Sequence, residues 1–236
     1  MTPVIAVQLL GGFQLHVDDE HVPVPPSSQR LLAHLAVQEA PLARTAIASA
    51  LWPGTTPRRA AACLRSALWR LVRPPNVLVN ANQGMLSIAQ DVDVDLAAVR
   101  RFAAEMAGAT RPRLSPALPL TLLTTDLLPG WTDDWLIPER EWFRQLCLRV
   151  LEMLSERFRT DGDHFHAHET AVAAVRGDPL RESAHRRLIE LHLADGNPAA
   201  ALRQYASYRT RLRDELGLTP SPEIQKLVQP VLAARD

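Results

Sequence analysis

Residues 57–73 read Pro57-Arg58-Arg59-Ala60-Ala61-Ala62-Cys63-Leu64-Arg65-Ser66-Ala67-Leu68-Trp69-Arg70-Leu71-Val72-Arg73, and their periodicity decides how the first half of the chain is read. On a helix advancing about 100° per residue, Arg58, Arg59, Ala62, Arg65, Ser66, Trp69, Arg70 and Arg73 share an arc of about 140°. Ala60, Leu64, Ala67, Leu68 and Leu71 occupy about 100° on the other side. One face is built to pack and the other is basic. A solvated helix face ordinarily mixes acids with its arginines at i,i+4 spacing. Here Ala40 to Gln90 holds six arginines and no Asp or Glu, which points to contact with a polyanion. Arginine donates two hydrogen bonds to guanine O6 and N7 in a major groove, or grips phosphates from the helix ends, so the stretch reads as a DNA-recognition helix. Trp69 sits amid the basic face. It either meets a thymine methyl or deoxyribose, or folds back against its own domain.

Working outward, a helix over Thr45–Leu51 precedes this one and stops before Pro53-Gly54. An earlier helix follows Pro25-Pro26, capped by Ser27 or Ser28, with Leu31, Leu32, Leu35 and Ala36 at helical spacing. Before it, Val4–Leu10, Phe13–Val17 and Val22–Val24 read as strands of a small antiparallel sheet. On the far side, Pro74-Pro75 ends the recognition helix. Val77–Val79 and Met85–Ile88 then form a hairpin whose turn runs from Asn80 to Gly84. Sheet, three helices and hairpin is the order of an α+β winged helix-turn-helix. The hairpin turn carries no Arg or Lys, which leaves polar contacts to phosphate from Asn82 and Gln83, with a plain loop as the alternative.

Asp91-Val92-Asp93-Val94-Asp95 marks the expected boundary, dividing a DNA-binding domain at 1–91 from an all-α domain at 92–236 with no expected strand. Helices are expected over Leu96–Met106, Trp142–Phe158, His166–Val175, Glu182–Ala194 and Ala199–Leu216, with the Pro-rich 111–119 as a loop or helix start. Helix pairs joined by short turns such as Gly196-Asn197-Pro198 read as a tetratricopeptide-like stack, with a generic helical bundle as the alternative. Trp131, Trp135 and Trp142 are spaced to fill a helical core.

His164 and His168 share a face on a helix, a spacing that can hold a metal. No Cys or Asp completes a metal-binding set with them, although Glu169 is adjacent, so they read as surface histidines, and neither metal nor cofactor is expected. The sequence has no G-x-S-x-G elbow, Walker loop or G-x-G-x-x-G, so it is not expected to be an enzyme. Net charge is zero, but residues 1–90 carry +3 and the remainder −3. No apolar run approaches the roughly 20 residues of a membrane span, and the N-terminus lacks a signal-peptide pattern. Cys63 and Cys147 lie far apart with no CxxC spacing. A cytoplasmic location without disulfides is expected.

Taken in order, several segments resemble the Streptomyces antibiotic regulatory protein family. They are LLGGFQLHVDDEHVPVP at 9–25, SQRLLAHLAV at 28–37, ALWPGTTP at 50–57, LRSALWRLVR at 64–73, VDVDL at 92–96, LLPGWTDDWL at 127–136, DPLRE at 178–182, AALRQY at 200–205 and LRDELGLTPSPE at 212–223. The family joins an OmpR/PhoB-type winged helix to a bacterial transcriptional activator domain. The resemblance implies a transcription activator that binds direct repeats near a promoter's −35 element. It also implies self-association on DNA and contact with RNA polymerase holoenzyme, in the control of a biosynthetic gene cluster. The DNA-contacting set is then Arg58, Arg59, Arg65, Ser66, Trp69, Arg70, Arg73, Asn82 and Gln83. Two departures stand out: the wing reads Gly84-Met85-Leu86-Ser87 in place of a Gly-Tyr-Arg-Leu type sequence, and Trp69 replaces a small polar residue. A peptide-binding adaptor and a ligand-responsive repressor of the same fold are the competing readings.

Overall fold

The structure, a computed structural model, describes residues 3–71, 77–108 and 120–233. Arg73, the Pro74-Pro75 stop and the Pro-rich loop expected at 111–119 lie outside the described residues. Packing divides the chain into two compact units: Met1–Leu118 with Thr125–Phe143, and Pro119–Thr124 with Arg144–Asp236. No described helix is long and apolar enough to cross a membrane.

The first unit opens with strands β1 (Ile5–Gln8), β2 (Gln14–Val17) and β3 (Glu20–His21), paired antiparallel in sequence. Three helices follow: α1 (Pro26–Val37), α2 (Arg44–Leu51) and α3 (Pro57–Trp69). The short β4 (Leu42–Ala43) precedes α2, and β5 (Val79–Asn82) and β6 (Met85–Ile88) form the hairpin, in the order β4-β6-β5. Leu31, Leu32 and Leu35 of α1, Ile47 and Leu51 of α2, and Leu86 of β6 are almost wholly removed from water. This small sheet followed by helices, ahead of a mostly helical remainder, is consistent with a winged helix plus a helical domain.

Several sequence expectations are corrected. Neither Ser27 nor Ser28 caps α1: the helix starts at Pro26, with Pro25 extended before it and its carbonyl accepting from the backbone N–H groups of Ser28 and Gln29. Proline at the first helical position supplies the fixed φ that begins a helix without a side-chain cap. The wing turn is only Gln83-Gly84, at φ 48° and 80°, and Asn80, Ala81 and Asn82 belong to β5. Two consecutive positive φ values make the tight turn that suits a twisted hairpin. The segment Asp91–Asp95 is not a plain boundary, because Val92–Val94 forms β7, parallel to β1 in the order β3-β2-β1-β7. After β7, helix α4 (Asp95–Gly108) begins at once. The Asp95 carboxylate accepts from the backbone N–H groups of Leu9 at 3.0 Å, Leu10 at 2.9 Å and Leu96 at 2.7 Å. Burial raises its pKa above the usual carboxylate value, against the opposing pull of those donors.

The tryptophans do not fill a helical core. All three belong to the first unit: Trp131 stacks on Phe13 at 6.2 Å, Trp135 meets His34 edge-on at 4.7 Å, and Trp142, 41% exposed, lies 4.6 Å under the Arg100 guanidinium. Between them Arg30 pairs with Asp133, and Arg140 donates to the carbonyls of Leu127 and Trp131, each at 2.9 Å, and to that of Leu128. The aromatic rings thus cover strands and α1, where amphipathic indoles suit a half-wet surface.

The second unit comprises α5 (Leu136–Thr160) from Arg144 onward, then α6 (His164–Gly177), α7 (Glu182–Ala194), α8 (Pro198–Leu216) and α9 (Pro222–Ala233). Asp163 and Asn197 cap α6 and α8, and Gly217 at φ 67° ends α8. Helix α9 escapes the sequence reading because Pro222 looks like a break, whereas at the first position of a helix it is a start. Ile224 and Val228 of α9 are buried with Ile189, Ala201, Tyr208 and Leu212. Glu182 of the DPLRE motif ties the turn to this packing, accepting from Ser221 N at 2.9 Å, from the Ser221 hydroxyl, and from Tyr208 Oη at 3.2 Å. An aspartate does stand beside the histidines. Asp195 lies 2.6 Å from His168 Nε2 and 3.1 Å from His164 Nδ1, brought there by the α6–α7 pairing. Among the described residues no group of three such side chains is arranged to hold a metal ion. Both cysteines are free, and burial pushes the Cys147 thiol up to about 12, which keeps it protonated.

Candidate nucleic-acid interface

The geometry of α3 starts at its first turn. Thr56 caps the helix, its side chain accepting from Arg59 N at 3.4 Å, and Pro57 takes the first helical position. Helix α3 packs against α1 and α2 through Ala60, Leu64 and Ala67, with Leu71 buried just past its end. Leu68, expected in the core with Leu64 and Leu71, is only half-buried. It lies at the edge of the apolar arc. Burial of a serine then fixes the rotation of the helix. Ser28 of α1 is fully buried, and its hydroxyl donates to the Ala67 carbonyl at 3.0 Å.

With that face inward, Arg58, Arg59, Ala62, Arg65, Ser66, Trp69 and Arg70 are all exposed. The one fold-back considered for Trp69 is not adopted, since the indole is 77% exposed. It stands at the last residue of α3, on the side opposite Leu64 and Ala67, so no core surface is within its reach. Among the described residues Arg58, Arg59 and Arg65 have no ion-pair partner, and Arg70 reaches only the Ser27 hydroxyl at 3.5 Å. Several arginines of the second unit are different. Arg157, Arg159, Arg181 and Arg187 each pair with a carboxylate within 3 Å. The α3 face is therefore cationic without internal neutralisation, a surface that concentrates anions.

Asn82 and Gln83 are exposed at the tip of the wing. Their turn closes on α2: the Gly84 carbonyl accepts from Arg44 N at 3.1 Å, and Ala43 pairs with Met85. Arg44 thereby places a cation beside an uncharged wing tip. Sequence reading passed over it because it precedes the helix expected at Thr45; its lack of an acidic neighbour anywhere in Ala40–Gln90 was the available signal. The structure thus gathers Arg58, Arg59, Arg65, Ser66, Trp69 and Arg70 on one helix face, and Asn82, Gln83 and Arg44 at the wing.

Comparison with known proteins adds three findings. The family model described as bacterial transcriptional activator domain matches residues 92–232. Regulatory protein AfsR of Streptomyces coelicolor is 31% identical over 224 residues, covering 89% of this chain and 22% of that protein. Regulatory protein AfsR of Streptomyces griseus is 29% identical over 226 residues, with the same coverage of 89% and 22%. The chain thus spans about a fifth of the length of these curated relatives. Among solved structures, Mycobacterium tuberculosis EmbR, determined in complex with a low-affinity phosphopeptide, is similar with a TM-score of 0.69 and 23% identity, over 98% of this chain and 66% of that one. That likeness is one of fold.

Proposed function

Since the chain belongs to the bacterial transcriptional activator domain family, we propose that it is a sequence-specific DNA-binding transcription activator. In this reading residues 1–91 carry the DNA-reading elements, with α3 in the major groove. Arg58, Arg59, Arg65, Ser66, Trp69 and Arg70 face the duplex. Asn82, Gln83 and Arg44 meet the adjacent phosphates. The observation that carries the reading is the α3 face itself, where exposed arginines stand without carboxylate partners on a helix whose other side is locked into the core. Arginine on such a face reads guanine and holds phosphate at once.

The finer parts of the reading concern residues 92–236. Successive helices α6 to α9, each packed on the next, support a tetratricopeptide-like domain whose work is protein contact. A single winged-helix module buries a small interface on DNA and binds weakly alone. Two copies on direct repeats, one helical turn apart, must meet head to tail rather than across a two-fold axis. The family resemblance and the net negative charge of this segment support a role for it in protomer–protomer contact and in contact with RNA polymerase, at the promoter of a biosynthetic gene cluster.

The experiment is selection of duplexes from a random pool by the full chain, followed by mobility shift and in vitro transcription from the selected sequence beside a −35 element. Enrichment of a repeated motif and increased transcript support the proposal. A pool without enrichment contradicts the DNA-reading role, and a bound template whose transcript falls contradicts activation.

A further inference from the structure

Six of the seven exposed residues on the α3 face have an evident relation to nucleic acid or are too small to obstruct it, and Trp69 is the exception. An indole left 77% exposed forfeits the burial of a large apolar surface, unless its partner lies outside the chain. Its position narrows what that partner is. On the helical projection Ala62 and Trp69 lie about 20° apart, near the middle of the face. Arg58 and Arg65 flank them on one side, and Ser66, Arg59 and Arg70 on the other. The face is therefore an apolar stripe between two cationic margins. Ala62 is small enough for the helix to approach closely one end of the stripe, and Trp69 projects from the other.

A protein partner for this stripe would need acids matched to both margins around an apolar pocket. A B-DNA major groove presents that arrangement generically, with phosphates along both walls and base edges on its floor. On that floor the one apolar group is the C5-methyl of thymine. Resting on the DNA-reading proposal above, we infer that Trp69 is a specificity-determining residue that packs its indole on a thymine methyl, giving the operator a preferred A·T pair at the position facing the C-terminal end of α3. The arginines flanking it set register and read guanine, and the indole selects thymine by removing its methyl from water. Burying one methyl-sized group corresponds to about three- to fivefold in affinity.

The test uses the tightest duplex selected from a random pool by the full chain, resynthesised with deoxyuridine replacing thymine one position at a time. Deoxyuridine keeps every hydrogen-bonding group and deletes only the methyl. Wild-type protein is expected to lose three- to fivefold at one position per repeat, while Trp69→Ala binds the thymine and deoxyuridine duplexes equally, and Trp69→Phe keeps part of the discrimination. Failure to select any duplex defeats the underlying DNA-reading proposal. With a selected duplex in hand, wild-type protein that tolerates deoxyuridine everywhere overturns the inference, including the case in which Trp69→Ala still weakens binding and the indole therefore lies on sugar. Discrimination that survives in Trp69→Ala overturns it too, by assigning the methyl to another residue. Binding that Trp69→Ala leaves untouched, with loss of affinity for an acidic protein surface instead, does the same.

Discussion

Ser28 Oγ donates a hydrogen bond to the Ala67 carbonyl at 3.0 Å, with both residues fully buried between α1 and α3. A helix packed only by alanine and leucine has little to resist rotation about its own axis. A buried, directional bond supplies that resistance, because turning α3 would leave both a hydroxyl and a carbonyl unsatisfied. Ser28→Ala is expected to cost about 1–3 kcal/mol of stability. Chemical denaturation of the full chain measures it, and Ser28→Cys, which keeps the size but not the bond strength, should fall between.

Leu64 and Leu68 differ in what they contribute. Leu64 is 2% exposed, whereas Leu68 stays half-buried. Leu64→Ala should cost about 2–5 kcal/mol, the range for truncating a buried leucine. Leu68→Ala should cost clearly less. Equal losses for the two would mean that α3 is rotated from the orientation described.

These two positions also show how far the sequence could be read. The amphipathic split of α3 was legible because a helix of 13 residues repeats its period several times, and its basic face follows from that period alone. The rim position of Leu68 was not, since it depends on how far the neighbouring elements reach around the edge of α3. Strand β7 was missed because three residues give almost no periodicity and its partner β1 lies at the other end of the unit in sequence. The tryptophans were assigned to a helical core on spacing, but what covers them is His34, Phe13 and Arg100, all far away along the chain. Local signals sufficed to put the α3 residues on one exposed face. Long-range partners drew the limits of the unit that carries it.

Those limits predict the behaviour of fragments. Ending the chain after Asp95 removes Leu96 and Val99, which are fully buried, and the buried pair Leu127 and Leu128 that Arg140 holds through backbone carbonyls. A fragment of residues 1–143 should therefore melt in one cooperative transition by circular dichroism, and a fragment of residues 1–95 should not. Comparable cooperative melts would show that α4 and the Leu127–Leu128 segment add nothing to the fold of the first unit.

Acid should weaken the first unit through His34. Burial lowers the His34 pKa, only partly opposed by the nearby Asp133 carboxylate, which itself pairs with Arg30. A histidine with a depressed folded pKa is protonated first in the unfolded chain, so stability falls as pH drops through the unfolded value of about 6.5 and levels off below the folded one. His185, lowered by burial beside Tyr208 and bonded to Gln204, adds a loss of the same sign in the second unit. In melts between pH 7.5 and 5, His34→Gln should flatten the slope for the first unit and leave that of the second unchanged. A first-unit slope that persists in His34→Gln would assign it to another group.

If the unpaired arginines of α3 read DNA, duplex affinity of the Arg65→Ala/Arg70→Ala double variant, in a mobility-shift titration at fixed salt, responds most directly. Neither side chain packs in the core, so melting should be unchanged. A base-specific arginine contact is worth about 1–3 kcal/mol and a phosphate contact changes the salt slope by about one. A loss of at least tenfold on the selected duplex is expected, with the salt dependence reduced. Wild-type affinity and an unaltered salt slope in a fully folded double variant would contradict it.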